Sequence, residues 1–571
     1  MSSPDTGAAG RRSIYWLLIA VSVGVTGGRL LSAERLNEPS VHRADDDRTT
    51  PRPAWPKARP RPTPMFGSND RSRWALVRAL VDEGTFVIGR RDKRVVLASA
   101  PAALAARDPL GLAALLEAGY RLRVASDRGI IFEESYQSVD KVLHPARMEF
   151  YSTKPPLLSV IVAGEYWLLK HLFGWTLKDD PFTVVRVVLL TINLLPMVLY
   201  LALLGRLAER FAETDWARYY VVAAGGLGTL LTPFLITFSN HTVAVTTTLV
   251  AVWAVARILE LSPPSPPASG GEGLGVRGVE PAADFTPSPA SGPRASRGGG
   301  PLPGNGGEGR RWHFVLAGLM AGFTACNELP ALALAAGLFA FLLWKFPRPA
   351  LAIFLPAMLV PIAALLALDY AQTGEVVPVY SKFGGPWYEY EGSHWRVPPG
   401  ATKRGIDFAG RNGETKLTYA FHLLVGHHGL FLLTPVMLLA FVGMGVGLAK
   451  GQPLPPRPLP EAERGGQHGA VLRLVTLFTL LLSVVVIGFY LVKSDNYGGW
   501  SNGPRWLMWL SPLWLLTMLP VLDWMAGRRW GRGAALVLLA WSIASMHYQP
   551  WNAWRHPWAY NWMESRGWVN Y

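Results

Sequence analysis

The sequence predicts an all-α polytopic membrane protein, and three observations lead to that fold class. Half of the 571 residues are hydrophobic and only 17% are charged, which is a smaller charged fraction than soluble chains of this length carry. The apolar residues occur in blocks of about 18 to 22, the length that crosses a bilayer as a helix. Arg-rich and polar stretches separate the blocks, as loops separate the spans of a membrane protein.

Composition also excludes several kinds of protein. The formal net charge is +15, but no nucleic-acid-binding module is recognisable, and arginines in cytoplasmic loops facing anionic lipid account for the excess. The single cysteine, Cys326, excludes an intramolecular disulfide framework and a cysteine-based metal site. Arg11 and Arg12 precede the first apolar block without a clear cleavage site after it, which predicts a retained first span.

The apolar blocks predict about eleven membrane spans. Clusters of arginine and lysine follow alternate spans, and they place the N-terminus in the cytoplasm and the C-terminus outside. The predicted spans are residues 14–31, 184–204, 219–238, 242–261, 313–325, 329–344, 351–369, 430–448, 474–491, 506–522 and 534–547.

The apolar stretch 154–173 allows two interpretations. If it crossed the membrane, Lys178 would lie inside while Arg206 and Arg210 would lie outside, which contradicts the positive-inside rule. If it is instead a juxtamembrane or re-entrant helix, residues 184–204 form the second span and both arginines fall inside. We therefore expect a juxtamembrane helix.

These spans divide the chain into segments whose polar residues gather on one side of the membrane. The tract within 262–311 is rich in Pro, Gly and Ser and has almost no large apolar residue, so it predicts a disordered loop. The segments are the cytoplasmic N-terminus with the first span (1–31), a first extracytoplasmic loop with juxtamembrane helices (32–181), the second to fourth spans (182–261), the disordered cytoplasmic loop (262–311), the fifth to seventh spans (312–370), a further extracytoplasmic loop (371–428), the eighth to eleventh spans (429–547) and an extracytoplasmic tail (548–571).

The first extracytoplasmic loop contains a predicted amphipathic helix at residues 67–80. Trp74 lies on one face of this helix and Arg71 and Arg78 lie on another, which is typical of a helix lying on the membrane surface. Elsewhere the loop predicts a linker at 32–64, β structure at 84–97 and a second helix at 100–118.

Several short motifs resemble one family of membrane enzymes. A carboxylate, Asp70, stands at the head of the short amphipathic helix that follows the first span, and YSTKPPLLSVIVAGEYWLLKHLFG follows at 151–174. Further pieces are FSNH at 238–241, GLFLLTP at 429–435 and GGW…GPRW at 498–506. In this order and on a common side, the pieces resemble the GT-C membrane glycosyltransferases, in particular the protein O-mannosyltransferase and aminoarabinose (lipid A) transferase group.

The resemblance implies a GT-C-like helical bundle and an inverting transfer of a sugar from a polyprenyl-phosphate donor. The acceptor would be a lipid, a protein or a glycan on the extracytoplasmic face of a membrane, which we expect to be a bacterial inner membrane. It implies that Asp70 is the general base and that the Lys-Pro-Pro-Leu stretch forms part of the donor-side wall. One difference is that Asn69 stands where the family carries a second acid.

The candidate site residues also have plain structural alternatives. Asp70 can take a hydroxyl proton or can cap its helix. Lys154 and Arg505 can contact a donor phosphate or can extend towards lipid headgroups. Glu328 and His241 are predicted at the outer ends of spans, where ionisable groups are costly unless they are paired or functional.

Aromatic residues in the loop 371–428 form another candidate surface. Trp387 and Tyr388 lie close to Glu389 and Arg396 in the sequence, and flat rings among hydrogen-bonding groups suit a sugar or an acceptor. Aromatic residues of membrane proteins also form interfacial belts or pack within loops.

No resident cofactor is predicted. His422, His427 and His428 are close in sequence, but no acid or cysteine nearby completes a ligand set for a divalent metal.

Two other functions stay open at this point. A transporter or flippase of lipid-linked sugars would need polar residues along a path through the membrane, and the predicted spans are poor in them. A catalytically inactive relative that binds polyprenyl lipid would be consistent with Asn69 in place of a second acid.

Overall fold

The protein is mainly helical, with one small sheet. The computed structural model describes residues 6–34, 62–92, 126–260, 306–381, 384–396, 415–449, 464–494, 496–548 and 552–569. The predicted helix at 100–118, most of the predicted linker at 32–64 and most of the predicted disordered loop at 262–311 lie outside these ranges.

The helices follow the apolar blocks of the sequence, with short helices between them. In chain order they are α1 (Thr6–Ser32), α2 (Ser68–Arg78), α3 (Pro156–Phe173), α4 (Pro181–Phe211), α5 (Asp215–Leu227), α6 (Leu231–Phe234), α7 (Asn240–Glu260), α8 (Gly306–Asn327), α9 (Leu332–Lys345), α10 (Pro347–Thr373), α11 (Lys416–Leu424), α12 (Leu430–Leu433), α13 (Leu438–Ala449), α14 (Arg464–Lys493), α15 (Ser511–Thr517), α16 (Leu519–Ala526), α17 (Arg529–His547) and α18 (Trp558–Ser565).

Five helices are long and apolar enough to cross a membrane. They are Ala9–Ser32 of α1, α4, α7, α10 and Gly469–Lys493 of α14, and a sixth span results if Arg505–Thr517 and Leu519–Ala526, bent by 41°, count together. The predicted number of spans, about eleven, is therefore not confirmed. Helix α3 is not among these helices, and its juxtamembrane placement stays a prediction.

Several predicted spans are interrupted. Within 219–238, α5 ends at Leu227 and α6 begins only at Leu231. Within 430–448, α12 ends before Pro435, and within 506–522 a 3₁₀ turn precedes α15. A proline lacks a backbone donor and clashes with the preceding helical turn, which explains the break at Pro435. The sequence marks the apolar stretch but not how many helical pieces fill it.

A four-stranded antiparallel sheet lies in the first loop of this mostly helical chain, and its first strand, Gly89–Asp92, falls within the β structure predicted at 84–97. Its order is β2 (Ser126–Arg128), β1 (Gly89–Asp92), β4 (Glu149–Ser152) and β3 (Lys141–Leu143). Strands β3 and β4 pair so that Lys141 lies opposite Ser152. The residues just outside this pair, at 140 and 154, are therefore held at one end of the β3–β4 hairpin.

Helices α8 and α10 pack with their backbones in close contact. A side chain at Gly318 would collide with the carbonyl oxygen of Phe354, and one at Gly322 would collide with that of Met358. Two small residues four positions apart are typical of tightly packed membrane helices. This contact fixes the end of α8, after which Glu328 comes directly.

Helix α2 is buried, and this corrects the expectation of a helix lying on the membrane with a solvated polar face. All its residues from Asn69 to Arg78 are buried. Arg71 donates to the carbonyl oxygens of Gln137 (2.8 Å) and Phe66 (3.1 Å), and Arg78 pairs with Glu133 at 2.5 Å. The loop segments around 130–140 therefore provide hydrogen-bond acceptors for the arginines of this polar face, in place of water or lipid headgroups.

Candidate functional site

Asp70 lies in the first turn of α2 and joins two distant parts of the chain. Its Oδ2 accepts a hydrogen bond from the backbone N–H of Phe66 (2.8 Å), and its Oδ1 accepts one from that of Phe238 (3.1 Å). The side chain is buried, with 1% exposure. Gly67, rather than Asp70, is the N-cap. The carboxylate thus orients the start of α2 against the segment that leads into α7.

Arg73 lies one turn later on the same face of α2 and extends the contact to α7. Its guanidinium donates to Asn69, both to the carbonyl oxygen (3.2 Å) and to the side-chain oxygen, and to Oδ1 of Asn240. Arg73 is fully enclosed, with 2% exposure. Residues three apart on a helix are neighbours, so the spacing of Asp70 and Arg73 in the sequence already indicates that the two side chains lie close together.

Glu328 connects this network to α8. One carboxylate oxygen of Glu328 accepts from Nδ2 of Asn240 at 3.0 Å and also contacts Nδ1 of His241. The three side chains are buried. Glu328 and His241, predicted separately as site candidates, are therefore direct partners at the adjoining ends of α7 and α8.

Lys154 pairs with Asp140, which the sequence did not single out. The ammonium donates to Oδ1 of Asp140 at 2.8 Å, and both side chains are largely enclosed. The carbonyl oxygen of Asp140 accepts from the hydroxyl of Ser72 on α2 at 2.6 Å. The pairing of β3 with β4 creates this ion pair, and no local pattern in the sequence indicates it.

Arg505 has unused hydrogen-bonding capacity in the part of the chain that the structure describes. Its Nε is buried without a hydrogen-bond partner there, and no described side chain forms an ion pair with it. The guanidinium lies 4.7 Å from the centre of the Trp554 ring. Gly498 and Gly503, with φ of 104° and 97°, shape the turn before Arg505, because this backbone conformation favours glycine.

The C-terminal segment completes the wall beside Arg505. The carbonyl oxygen of Ala553 accepts from the backbone N–H of Asn502 at 2.9 Å. The indole of Trp554 packs so closely on Gly67 that any β-carbon there would collide with it. Trp554 therefore touches both the start of α2 and the Arg505 guanidinium, a role that no sequence motif indicated.

The pKa values show that these charges lie within electrostatic reach of one another. Burial raises the pKa of Asp70 to about 6, although two backbone amides and the charges of Arg73 and Arg71 oppose this. Burial lowers the pKa of Lys154 to about 8; Asp140 opposes this shift, and the charges of Arg73 and Arg505 add to it. Burial would raise the pKa of Asp140, but the charge of Lys154 holds that pKa below the usual range of an aspartate.

The structure thus brings together five of the predicted residues, from five separate parts of the chain. These are Asp70, Lys154, His241, Glu328 and Arg505, and Arg73, Asp140 and Asn240 join them. Arg73, Lys154 and Arg505 are the cations of the cluster, and such groups can bind a phosphate. A carboxylate with a pKa near neutrality can accept a proton from a hydroxyl. The roles of the individual residues stay predictions.

Trp387 and Tyr388 lie behind the hairpin that carries Asp140. The carbonyl oxygen of Trp387 accepts from the backbone N–H of Leu143 at 3.1 Å. Tyr388 has no exposed surface and packs against Val87 and Val142. These contacts correspond to the alternative in which the aromatic residues pack within the loop, and a binding role for them stays untested.

The histidines form a cluster of packed rings next to the C-terminal segment. His422 stacks on His427 with centroids 4.1 Å apart, and His428 stacks on Tyr497 at 5.2 Å. Burial lowers the pKa of His427 to about 2, so the ring is neutral. In the described ranges, no group of three or more His, Cys, Asp or Glu residues has the geometry to hold a metal ion.

Comparison with known proteins gives a weak structural similarity. No family model and no curated protein matches the sequence. The oligosaccharyltransferase of Archaeoglobus fulgidus in its apo form is 11% identical over 97% of this chain and 57% of that one, with a TM-score of 0.44. The same archaeal enzyme, AglB, in complex with an inhibitory peptide and a dolichol-phosphate gives 11% identity, 99% and 58% coverage and a TM-score of 0.42.

The chain therefore spans less than three fifths of the length of these structures, at 57% and 58%. Scores of 0.44 and 0.42 do not establish a common fold or a common activity.

Proposed function

We propose that the protein is a GT-C-type membrane glycosyltransferase that transfers a sugar from a polyprenyl-phosphate donor to an acceptor hydroxyl. The observation that carries the proposal is the guanidinium of Arg505, which lacks an acceptor among the described residues and lies in one cluster with Lys154 and Arg73. A phosphate has oxygen acceptors in the geometry that a guanidinium favours. The order of the sequence motifs adds independent support.

The donor phosphate would bind between Arg505 and Lys154. Arg505 supplies the free hydrogen-bond donors, and Lys154 supplies a charge that Asp140 holds in place at 2.8 Å. Negative charge grows on the phosphate oxygen as the bond to the sugar breaks, and these fixed cations stabilise that charge. The leaving group is the polyprenyl phosphate.

Asp70 would act as the general base. The acceptor hydroxyl attacks the anomeric carbon from the face opposite the phosphate, and its proton passes to the carboxylate. Each carboxylate oxygen has a second lone pair beyond the one that a backbone amide of Phe66 or Phe238 occupies. A pKa raised to about 6 leaves the group deprotonated and basic at neutral pH.

Asn240, His241 and Glu328 would position this base rather than react. They hold Arg73 on the side of α2 next to Asp70 through a continuous series of contacts. A single acid suffices for an inverting transfer, because a phosphate is already a good leaving group. The presence of Asn69 beside Asp70 is consistent with this mechanism, since Asn69 serves as an acceptor for Arg73.

The test is a transfer assay with the purified full-length protein and a panel of polyprenyl-phosphate sugars, with released polyprenyl phosphate and modified acceptor measured by mass spectrometry. We expect the wild type to release lipid phosphate and Asp70→Asn to lose more than about 99% of the rate, as for loss of a general base. Asp179→Asn, which changes an exposed acid on the α3–α4 connection, should keep the wild-type rate.

A measurement of the stability of Asp70→Asn shows whether a loss of activity comes from the missing base or from unfolding. Burial of the charged Asp70 carboxylate destabilises the folded state, so removing this charge raises the free energy of unfolding by about 3 kcal/mol at neutral pH, at about 1.4 kcal/mol per pKa unit. Leaving one backbone amide without an acceptor costs about 1–3 kcal/mol. Asp70→Asn should therefore unfold close to the wild-type temperature. Full activity of this variant, or no release from any donor by the wild type, would refute the proposal.

A further inference from the structure

A polar cavity lies near the end of α7 that is opposite the candidate site. Asn240 begins α7 at the site, and Arg257 lies near the other end of this helix. Seventeen residues of helix span about 25 Å, close to the thickness of the hydrocarbon core. The region around Arg257 therefore faces the other leaflet and is independent of the cluster around Asp70.

The cavity, termed here the basic cavity, has a volume of about 480 Å³ and lies between α4, α7 and α8. Arg206, Arg210, Arg257 and His313 line it, together with Trp253 and Glu209. Three arginines and one histidine thus line the cavity together with a single acid. Cavities of this kind between membrane helices favour anionic lipid headgroups.

The acids near the basic cavity are already engaged. Glu209 accepts from Nε of Arg11 at 3.1 Å and from the hydroxyl of Tyr15 at 2.7 Å. Glu260 is shared by Arg210 and Arg257. Arg206 is exposed and lines the cavity, and its side chain forms no hydrogen bond or ion pair with a described residue. The cavity therefore has an excess of positive charge and at least one guanidinium free to bind an anion.

An apolar groove adjoins the basic cavity and shares Arg206 and Glu209 with it. This groove has a volume of about 600 Å³ and runs between α1 and α4. Arg12, Tyr15, Arg206 and Glu209 line its polar part, and Trp16, Ile19, Leu201 and Ala202 form its apolar wall. Together the two cavities present a cationic end and an apolar end at the surface of the membrane.

We propose that the basic cavity and the apolar groove bind one anionic glycerophospholipid of that leaflet. The lipid phosphate would bind Arg206 and the neighbouring arginines, and an acyl chain would lie along Ile19 and Leu201. The two ends of the site match the two ends of such a lipid: charge-assisted hydrogen bonds hold the phosphate, and burial of the chain contributes the hydrophobic part of the affinity.

The test measures lipid binding to the purified full-length protein in detergent, by native mass spectrometry and by the unfolding temperature. Dioleoyl-phosphatidylglycerol should bind one to one and raise the unfolding temperature, and dioleoyl-phosphatidylcholine should do so much less. Inorganic phosphate alone should have little effect, because it lacks the chain. Equal effects of the two lipids, or an effect of phosphate equal to that of phosphatidylglycerol, would overturn the proposal.

Variants locate the site. Arg206→Gln should weaken phosphatidylglycerol binding by about tenfold, the value of one charge-assisted hydrogen bond, and should fold normally because Arg206 is exposed. Arg532→Gln removes an equally exposed arginine at the start of α17 and should bind as the wild type does. Ala202→Phe should weaken lipid binding by filling the apolar groove while leaving the arginines in place. Unchanged binding by both Arg206→Gln and Ala202→Phe would disprove this location.

Discussion

The three cations of the candidate site differ in how many hydrogen-bond partners they have within the protein. Arg73 is bonded to Asn69 and Asn240, and Lys154 is bonded to Asp140. Arg505 stacks on Trp554 and has a buried Nε without a partner among the described residues. A buried donor without an acceptor costs free energy. A bound anion that accepts from Arg505 therefore stabilises the complex more than one that accepts from Arg73 or Lys154.

Substitution of Arg505 should therefore weaken donor binding more than folding. We expect Arg505→Lys to lower kcat/KM by about tenfold, because lysine keeps the charge but loses the planar pair of donors, and Arg505→Gln by about a hundredfold or more. Steady-state kinetics with a polyprenyl-phosphate sugar would measure both. Arg555→Gln is the control, since the Arg555 guanidinium lies over Trp500 and that of Arg505 lies over Trp554; an equal loss there would exclude a specific role for Arg505.

At the scale of elements, the site depends on how helices α8 and α10 approach each other. Gly318 and Gly322 let the backbones come into contact, and Glu328 lies directly after the end of α8. A displacement of α8 would therefore move the acceptor that holds Asn240 and His241. The packing of two helices some distance from Asp70 thus sets the geometry of the charged cluster.

Gly322→Val should separate α8 from α10. The valine side chain would meet the carbonyl oxygen of Met358, and overpacking of this kind costs about 1–3 kcal/mol or more. We expect a lower unfolding temperature together with reduced transfer. Gly164→Val introduces the same side chain into α3, where an added β-carbon would meet no atom outside the neighbouring backbone within 4 Å, and should leave both properties unchanged. A normal unfolding temperature for Gly322→Val would show that this contact is not tight in solution.

The sequence predicts the long apolar helices well, because length and composition determine whether a helix can cross a membrane. The segments 14–31, 242–261 and 474–491 each lie within, or one residue beyond, a helix of the expected kind. It predicts interrupted segments poorly, since a proline marks a break but does not determine the direction or length of the next helical piece. The burial of α2 could not be predicted, because the partners of Arg71 and Arg78 come from residues 133–137.

The candidate site was predictable to the extent that topology determines it. Asp70, Lys154, His241, Glu328 and Arg505 were expected on one side because charge patterns order the spans. Asp140 was not expected, because only the register of β3 and β4 brings it to Lys154. Trp554 was not expected either, because its contacts with Gly67 and Arg505 are purely tertiary.

At the scale of the whole molecule, the proposed reaction depends on the protonation states of an acid and a base from distant segments. Asp70 has a raised pKa of about 6, and Lys154 has a lowered pKa of about 8. The proposed chemistry needs Asp70 deprotonated and Lys154 protonated. Both groups are mainly in the required protonation state only when the pH lies between these two pKa values.

The rate of transfer should therefore depend on pH with two limbs. Values of kcat/KM should fall as the pH drops through about 6, where Asp70 gains a proton, and again as it rises through about 8, where Lys154 loses one. The pH dependence of kcat/KM reports the free enzyme, so it is the measurement to make. Lys154→Arg should remove the alkaline limb and keep the acidic one. An alkaline limb that persists in this variant would assign it to another group.

The contact of Trp554 with Gly67 also has a consequence for biosynthesis. A ribosome makes the residues around Asp70 long before it reaches Trp554, so the wall beside Arg505 is absent until this tryptophan has been added. Only a polypeptide that has been extended through this tryptophan can close the charged cluster. A product that terminates before Trp554 would therefore lack the indole that packs on Gly67 and lies beside Arg505.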